Sequence, residues 1–550
     1  MKIKKLKPKI TKEYSLLALV IIAFLLIRIV LVTSSLKYVD SDELSIGIMA
    51  KNIIEKGEHP FFLYGQHYDG GAAIQGHFMA IIFLLFGVSS FSFNLSNLLI
   101  AMALVLLTYF SVKRLFDKKV ALLTSLLLAV SPYPFTFLSQ TKGHYMVSLF
   151  FNMLVIYIFC RTFFDGKNSN KYFALFGFVS AISWWVLEFV IPILIASFIF
   201  WYISDKRFFL KKKFFIFLGS FLIGFLPLIF YNLKHNFANI KQFLAGTALH
   251  KLVCKFHLIP SEVRFGDKVV SHCKIFGQTR TSISIGEFLT KSFPSLFGDG
   301  FSGWIYYVIF LAAVIFIVHK NGDMIKKFFI GLIPNQKFSK SIKEFSKEFY
   351  ILICIALFSL SFFGAGFSGG YHLSPLFPLI AILLSIFIIN VCKRGSMYRL
   401  VSISLVAILL LAALIGNIEL MKAEPAEDII DIINFMREEG IDKAYSTYFI
   451  KWALIFESNE EIIVSCENLC PCVPRYPLYE EIVRDSDKFG YVLHDKSTIN
   501  LKFRSYLDEN EIRYKHKLFD GKIVYYGISE IVRPGMAIES CTYAEGYSII

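Results

Sequence analysis

The sequence has no continuous basic surface. Its formal charge is +15, yet the cations fall into short clusters between apolar stretches: Lys2 to Lys12, Lys113 to Lys119, Arg161 to Lys171, Lys206 to Lys213, Lys320 to Lys347 and Lys393 to Arg399. A nucleic-acid partner needs its cations on one face, so that class is excluded. The C-terminal segment has neither a Gly-rich phosphate loop nor an internal repeat. The first apolar stretch, Leu16 to Val32, carries a basic leader but no convincing small-residue cleavage site, and is expected to stay as an uncleaved first helix. Metal-ligand spacing is also missing. His67, Asp69 and His77 make a site only on paper, and Cys470 and Cys472 are too loosely patterned for zinc, so a structural or free-thiol role is favoured. Neither a cofactor nor a metal is expected.

Apolar residues are what the chain has in excess, at 55% of the sequence with 59 phenylalanines. That is more apolar surface than one soluble core buries, and the membrane is the natural solvent. Stretches of roughly 16 to 22 apolar residues, the length of a membrane-crossing helix, recur as far as Ile418. The spacing predicts spans at Leu16 to Leu36, Phe93 to Val112, Val120 to Leu138, Tyr145 to Phe164, Tyr172 to Val186, Phe189 to Ile203, Phe214 to Tyr231, Gly303 to Val318, Phe349 to Ala365, Leu373 to Val391 and Val401 to Ile418. With the N-terminus inside, about eleven crossings place every basic cluster in the cytoplasm, as the positive-inside rule demands. Ala72 to Val88 is left out of that count, because including it would put Lys113, Arg114, Lys118 and Lys119 outside. It is expected to lie at, or dip into, the outer interface.

The expected fold class is therefore a polytopic α-helical membrane protein with its C-terminus outside. A membrane domain covers 1–418, with a first outer loop at 37–92 and a long outer loop at 232–301. An extracytoplasmic α/β domain covers 419–550, where a helical run (Ala426 to Glu438, stopped by Gly440) precedes strand-like runs at Ala444 to Tyr448, Glu461 to Ser465 and Gly490 to Leu493. Six of the nine cysteines fall outside on this topology (Cys254, Cys273, Cys466, Cys470, Cys472 and Cys541), where disulfides persist, although the pairing does not follow from sequence.

Asp40-Ser41-Asp42-Glu43 precedes Ile46, Met49, Ala50, Ile53 and Ile54, whose spacing predicts an amphipathic helix ended by Gly57. On spacing alone Ser41 caps that helix, and Asp42 and Glu43 complement its dipole. Position favours more, because carboxylates where an outer loop meets the bilayer are placed to act as general base on a lipid-borne substrate.

An Asp-Glu pair just after the first helix resembles the signature of GT-C-type membrane glycosyltransferases of the family-39 kind, which include protein O-mannosyltransferases and the aminoarabinose transferase. Tyr64-Gly65-Gln66-His67-Tyr68-Asp69-Gly70 resembles a Tyr-Gly-Gln-x-Tyr-x-Gly pattern of that group. Arg114-Leu115-Phe116, Lys142-Gly143-His144-Tyr145, Gly224-Phe225-Leu226-Pro227 and Tyr371-His372-Leu373-Ser374-Pro375-Leu376-Phe377-Pro378 extend the resemblance over most of the membrane part.

The resemblance implies a polyprenyl-phosphate-linked sugar donor, an inverting displacement and Asp42 as base, with Glu43 in support and Asp40 an additional acid. The acceptor is protein, lipid or polysaccharide, and the enzyme sits in the cell membrane with its site on the extracytoplasmic side. Lys142, His144 and Tyr145, then Tyr371 and His372, are candidates for the donor phosphate, which needs cationic or hydrogen-bonding partners. Gly370 stands where an arginine is expected. Tyr64, Gln66, His67 and Tyr68 suit a sugar ring. Arg28 and Glu188 are ionisable groups within or beside apolar spans. The other readings are a transporter or flippase of lipid-linked glycans, for which paired internal repeats are lacking, and a receptor built on the tail.

Overall fold

The structure is a computed structural model that describes residues 12–34, 41–167, 169–246, 262–265, 268–271, 284–298, 300–332, 346–365, 370–422, 429–469 and 472–538. Asp40, Cys254, Cys273, Cys470 and Cys541 lie outside the described residues. Two compact units are present: Met1–Ile29 with Leu98–Leu420, and Val30–Asn97 with Met421–Ile550.

Apart from the hairpin of Glu262–Phe265 and Lys268–Ser271, the first unit is helical among the described residues, as spanning segments must be where backbone groups find no water. Among the described residues, 7 helices are each long and apolar enough to cross a membrane, or up to 8 if a bent pair counts as one span. That pair is where the expectation of a straight third span fails. The helix Lys118–Ala129 stops and Tyr133–Thr141 resumes at 76° to it. Pro132 and Pro134 explain the break: proline donates no N–H and pushes the preceding residue out of the helical region. Ser131, in the gap, bonds to Thr136 at 2.9 Å, and its carbonyl accepts from Asn417 at 2.9 Å. The expected fifth and sixth spans are the helices Asn170–Val186 and Ile191–Ser204, joined through the 3-10 turn Glu188–Val190. Aromatic rings fill the core, with Phe159 stacked on Tyr350 at 4.4 Å between centroids and Trp201 edge-on to Phe159 at 5.0 Å.

Ion pairs gather one set of helix ends in this unit. Glu13 near the start of Lys12–Ser34 meets Lys113 near the end of Ser90–Leu115. Asp165, just past Gly143–Phe163, takes Arg161 at 2.5 Å and Lys347 of Lys347–Ala365 at 2.7 Å. Lys320, which ends Gly300–Lys320, pairs with Glu348 at 2.8 Å. These starts and ends alternate as in a bundle of successive up and down helices.

In the second unit, a five-stranded sheet runs in the order Ile463–Ser465, Lys443–Ser446, Gly490–His494, Lys522–Tyr526, Lys515–Phe519. The first three strands are parallel and the last two close antiparallel. Ile432, Ile433 and Met436 of the helix Ile429–Glu438 join Trp452, Val464, Val492 and Val524 in its core, and so do Leu44, Ile48, Met79, Phe83 and Phe93. The first outer segment is thus packed into the same core as the tail. The helix Ser41–Glu55, expected to be amphipathic, is buried over most of its length. Phe456 closes on Gly47 so tightly that an added Cβ would lie 2.7 Å from its ring.

Candidate active site

Consecutive helix residues project about 100° apart, so the two neighbouring acids of Ser41–Glu55 leave the helix in different directions. Glu43 turns inward and is wholly buried. Its Oε2 accepts from Gln75 Nε2 at 2.6 Å and Asn97 Nδ2 at 3.1 Å, and Gln75 also bonds Asn97 at 2.8 Å. These amides tie three helices to one carboxylate. Ser41, expected as the helix cap, instead donates to the Phe449 carbonyl at 3.2 Å.

Asp42 turns to the tail and keeps 30% of its side chain exposed. Its Oδ1 accepts from the Tyr448 hydroxyl at 2.5 Å and from Arg475 Nη2 at 2.7 Å, while Arg475 Nε donates to the Tyr448 oxygen at 3.0 Å. Acid, phenol and guanidinium close a triangle. Burial raises the Tyr448 phenol well above its usual range and the Asp42 charge raises it further, so it stays a proton donor. Burial also works against the Arg475 charge, but Tyr448 and Asp42 outweigh it and hold the guanidinium above its ordinary value.

Arg475 and Tyr448 were missed from sequence. An arginine 433 residues from its partner, in a segment with no periodic pattern, leaves no local signal.

The Tyr64 to Asp69 segment surrounds this triangle. With its amide oxygen facing Arg475, Gln66 accepts from Nη2 at 2.8 Å and from the Tyr68 hydroxyl at 3.1 Å; the reverse orientation would aim N–H at N–H. Gly65 has a positive φ of 66°, and a Cβ there would meet Arg475 Cα and the Pro474 carbonyl at 2.9 Å, so only glycine allows this contact. The Tyr64 hydroxyl donates to Glu58, which also takes the Tyr476 hydroxyl at 2.8 Å. The Tyr64 and Tyr476 rings lie 5.0 Å apart. Asp69 is buried and caps the helix Gly70–Phe86 by accepting from the Ala72 N–H at 3.1 Å. His67 is exposed.

In the membrane unit, Lys142 stands between the helices Tyr133–Thr141 and Gly143–Phe163. The buried His144 ring is 4.6 Å from Tyr145, and Tyr145 is 5.5 Å from Phe189. Tyr371 and His372 fall in the 3-10 turn Gly370–Leu376. Arg28 is buried at 1% exposure, 3.4 Å from the Ser131 hydroxyl and 4.9 Å over the Phe24 ring. One close group of metal-ligand types is found among the described residues, Cys466, Cys472 and Glu480. Its two cysteines are a disulfide, which withholds the thiolates a metal would need.

Residues 73–231 match a family model described as Dolichyl-phosphate-mannose-protein mannosyltransferase. No curated protein sequence matches the chain. Among solved structures, ArnT from Cupriavidus metallidurans bound to undecaprenyl phosphate is similar with a TM-score of 0.58 at 10% identity, over 93% of this chain and 97% of that one. The same protein in the apo state gives 0.59 at 11% identity, over 94% and 98%. The Archaeoglobus fulgidus oligosaccharyltransferase, tethered to an acceptor peptide containing the NVT sequon, gives 0.50 at 13% identity, over 95% and 74%. At these identities the likeness is one of fold.

Proposed function

We propose that the chain is a GT-C-type membrane glycosyltransferase, a reading supported by the family-model match over residues 73–231 and by the shared fold, and that it transfers a sugar from a polyprenyl-phosphate carrier to an acceptor hydroxyl on the non-cytoplasmic face, with Asp42 as the general base. One observation carries the choice of residue. Of the adjacent acids, Asp42 is partly exposed and oriented by Tyr448 and Arg475, whereas Glu43 is buried among amides. A base must reach the proton it takes. Asp42 accepts that proton as the acceptor oxygen attacks the anomeric carbon; the carbon–oxygen bond to phosphate breaks, its electron pair leaves with the phosphate, and the configuration inverts. Glu43 holds the helix that presents Asp42.

Lys142, His144, Tyr145, Tyr371 and His372 have the chemistry to receive the leaving phosphate, and Tyr64, Gln66, His67 and Tyr68 that to meet a sugar ring. This chemistry calls for no cofactor. The fold is shared with a protein crystallised with undecaprenyl phosphate, which supports a lipid-phosphate donor over the transport of a finished glycan.

The test is turnover of polyprenyl-phosphate-linked sugars by purified Asp42→Asn protein. A loss of about 100- to 10,000-fold in protein that still unfolds cooperatively is expected, the range for a placed general base. Unchanged turnover overturns the assignment. Mass spectrometry of surface glycans from a deletion strain identifies sugar and acceptor.

A further inference from the structure

We propose that Arg475 is a positioning residue supplied by the tail to Asp42, and that the Cys466–Cys472 disulfide fixes the loop that delivers it. This rests on the reading of Asp42 as the base.

The guanidinium is already engaged. It donates to Asp42, Tyr448 and Gln66, and its side chain is 5% exposed. Few donors remain for a substrate phosphate, so its effect passes through the carboxylate it holds. A second carboxylate partner, Tyr448, is itself oriented by Arg475 Nε. Charge and geometry at Asp42 therefore both depend on one side chain of the tail.

The backbone that carries Arg475 is pinned on either side. The connection runs from the strand Ile463–Ser465 to the helix Pro477–Arg484. At its start, Glu480 Oε2 accepts from the Cys466 N–H at 3.0 Å and the Ser465 hydroxyl at 2.5 Å, and Glu480 pairs with buried Lys451. Cys466 is bonded to Cys472, closing the connection three residues before Arg475. Beyond it, the Gly65 turn rests against the Pro474 carbonyl and the Arg475 backbone. Without the cross-link the chain between Cys466 and Arg475 regains conformational freedom, and displacement of a catalytic group by about 1 Å is enough to lower a rate roughly 100-fold.

The experiment measures kcat, KM for the lipid-linked donor and the pH profile of kcat/KM in the full-length protein, with thermal unfolding alongside. Arg475→Gln is expected to lower kcat roughly 10- to 100-fold with little change in KM, and to move the acid limb to higher pH, because a cation that favours the carboxylate is gone. Arg475→Lys restores the acid limb and part of kcat. Arg475 and Tyr448 both face Asp42, so Tyr448→Phe, which keeps the ring packing, is the second variant; it lowers kcat without the charge-dependent move of the acid limb. A Cys466→Ala/Cys472→Ala protein loses kcat about tenfold, and adds no further loss to Arg475→Gln.

Wild-type kcat and pH profile in both Arg475→Gln and Tyr448→Phe, with Asp42→Asn inactive, overturn the positioning role and leave the base standing. A raised KM with unchanged kcat in Arg475→Gln also overturns it, in favour of direct donor binding. Wild-type turnover of the double cysteine variant overturns the part assigned to the disulfide. Activity in Asp42→Asn removes the premise.

Discussion

Asp42 and Glu43 are chemically almost the same residue, and their surroundings divide them. Glu43 has its carboxylate bonded to Gln75 and Asn97 with no exposed surface. Removing it costs Gln75 Nε2 and Asn97 Nδ2 one hydrogen bond each, and hydrogen bonds to a charged group are worth roughly 1.5 to 3 kcal/mol each. Glu43→Ala is therefore expected to destabilise the protein by about 3 kcal/mol, seen as a lower unfolding temperature in detergent. Glu43→Gln keeps the shape and loses less. If Glu43→Ala unfolds like the wild type, the clamp is unimportant. The pair itself was legible, because its place after the first helix carries a family resemblance. Which acid faces out was not legible, since Gln75, Asn97 and Arg475 reach it only through the fold. The same holds for Asp69, whose part as the cap of the helix Gly70–Phe86 was not read from sequence.

Elements with a local cause were the easier ones to read. The helix Ile429–Glu438 and the strands Lys443–Ser446, Ile463–Ser465 and Gly490–His494 overlap the runs expected from periodicity, although Tyr448, expected to end a strand, opens the helix Tyr448–Glu457. The hairpin of Lys515–Phe519 and Lys522–Tyr526 was overlooked, although Asp520-Gly521 between the strands is a strong two-residue turn signal and Gly521 has a φ of 68°. Its lysine-rich first strand hid the alternation. Lys522, opposite His494 in the register, is buried, and burial lowers its ammonium from 10.5 to about 8. The folded state therefore holds fewer protons than the unfolded one between about 8 and 10.5, and stability from this group increases as pH rises through that window. Lys522→Met is expected to raise the unfolding temperature at pH 7 and to flatten this dependence, which calorimetry at pH 7 and pH 10 resolves. A parallel pH dependence in both proteins would refute the assignment.

At the scale of the whole molecule, topology rested on where the lysines and arginines fall, and the ion pairs bear on that directly. Lys113, Arg161, Lys320 and Lys347, drawn from clusters expected on one side, bind Glu13, Asp165 and Glu348 and so share one end of the helical unit. Composition could not foresee the broken pair at Pro132, because hydropathy averages over a bend. Which compartment each end faces is a matter for experiment. A single cysteine replacing exposed Lys488 of the tail, in a background where the native thiols are blocked, is expected to react with a membrane-impermeant maleimide in intact cells. One replacing exposed Lys118 reacts only after permeabilisation. Labelling of Lys118→Cys alone in intact cells would invert the orientation and place Asp42 away from an outward-facing acceptor, whereas labelling of both positions would refute the alternation of the spans.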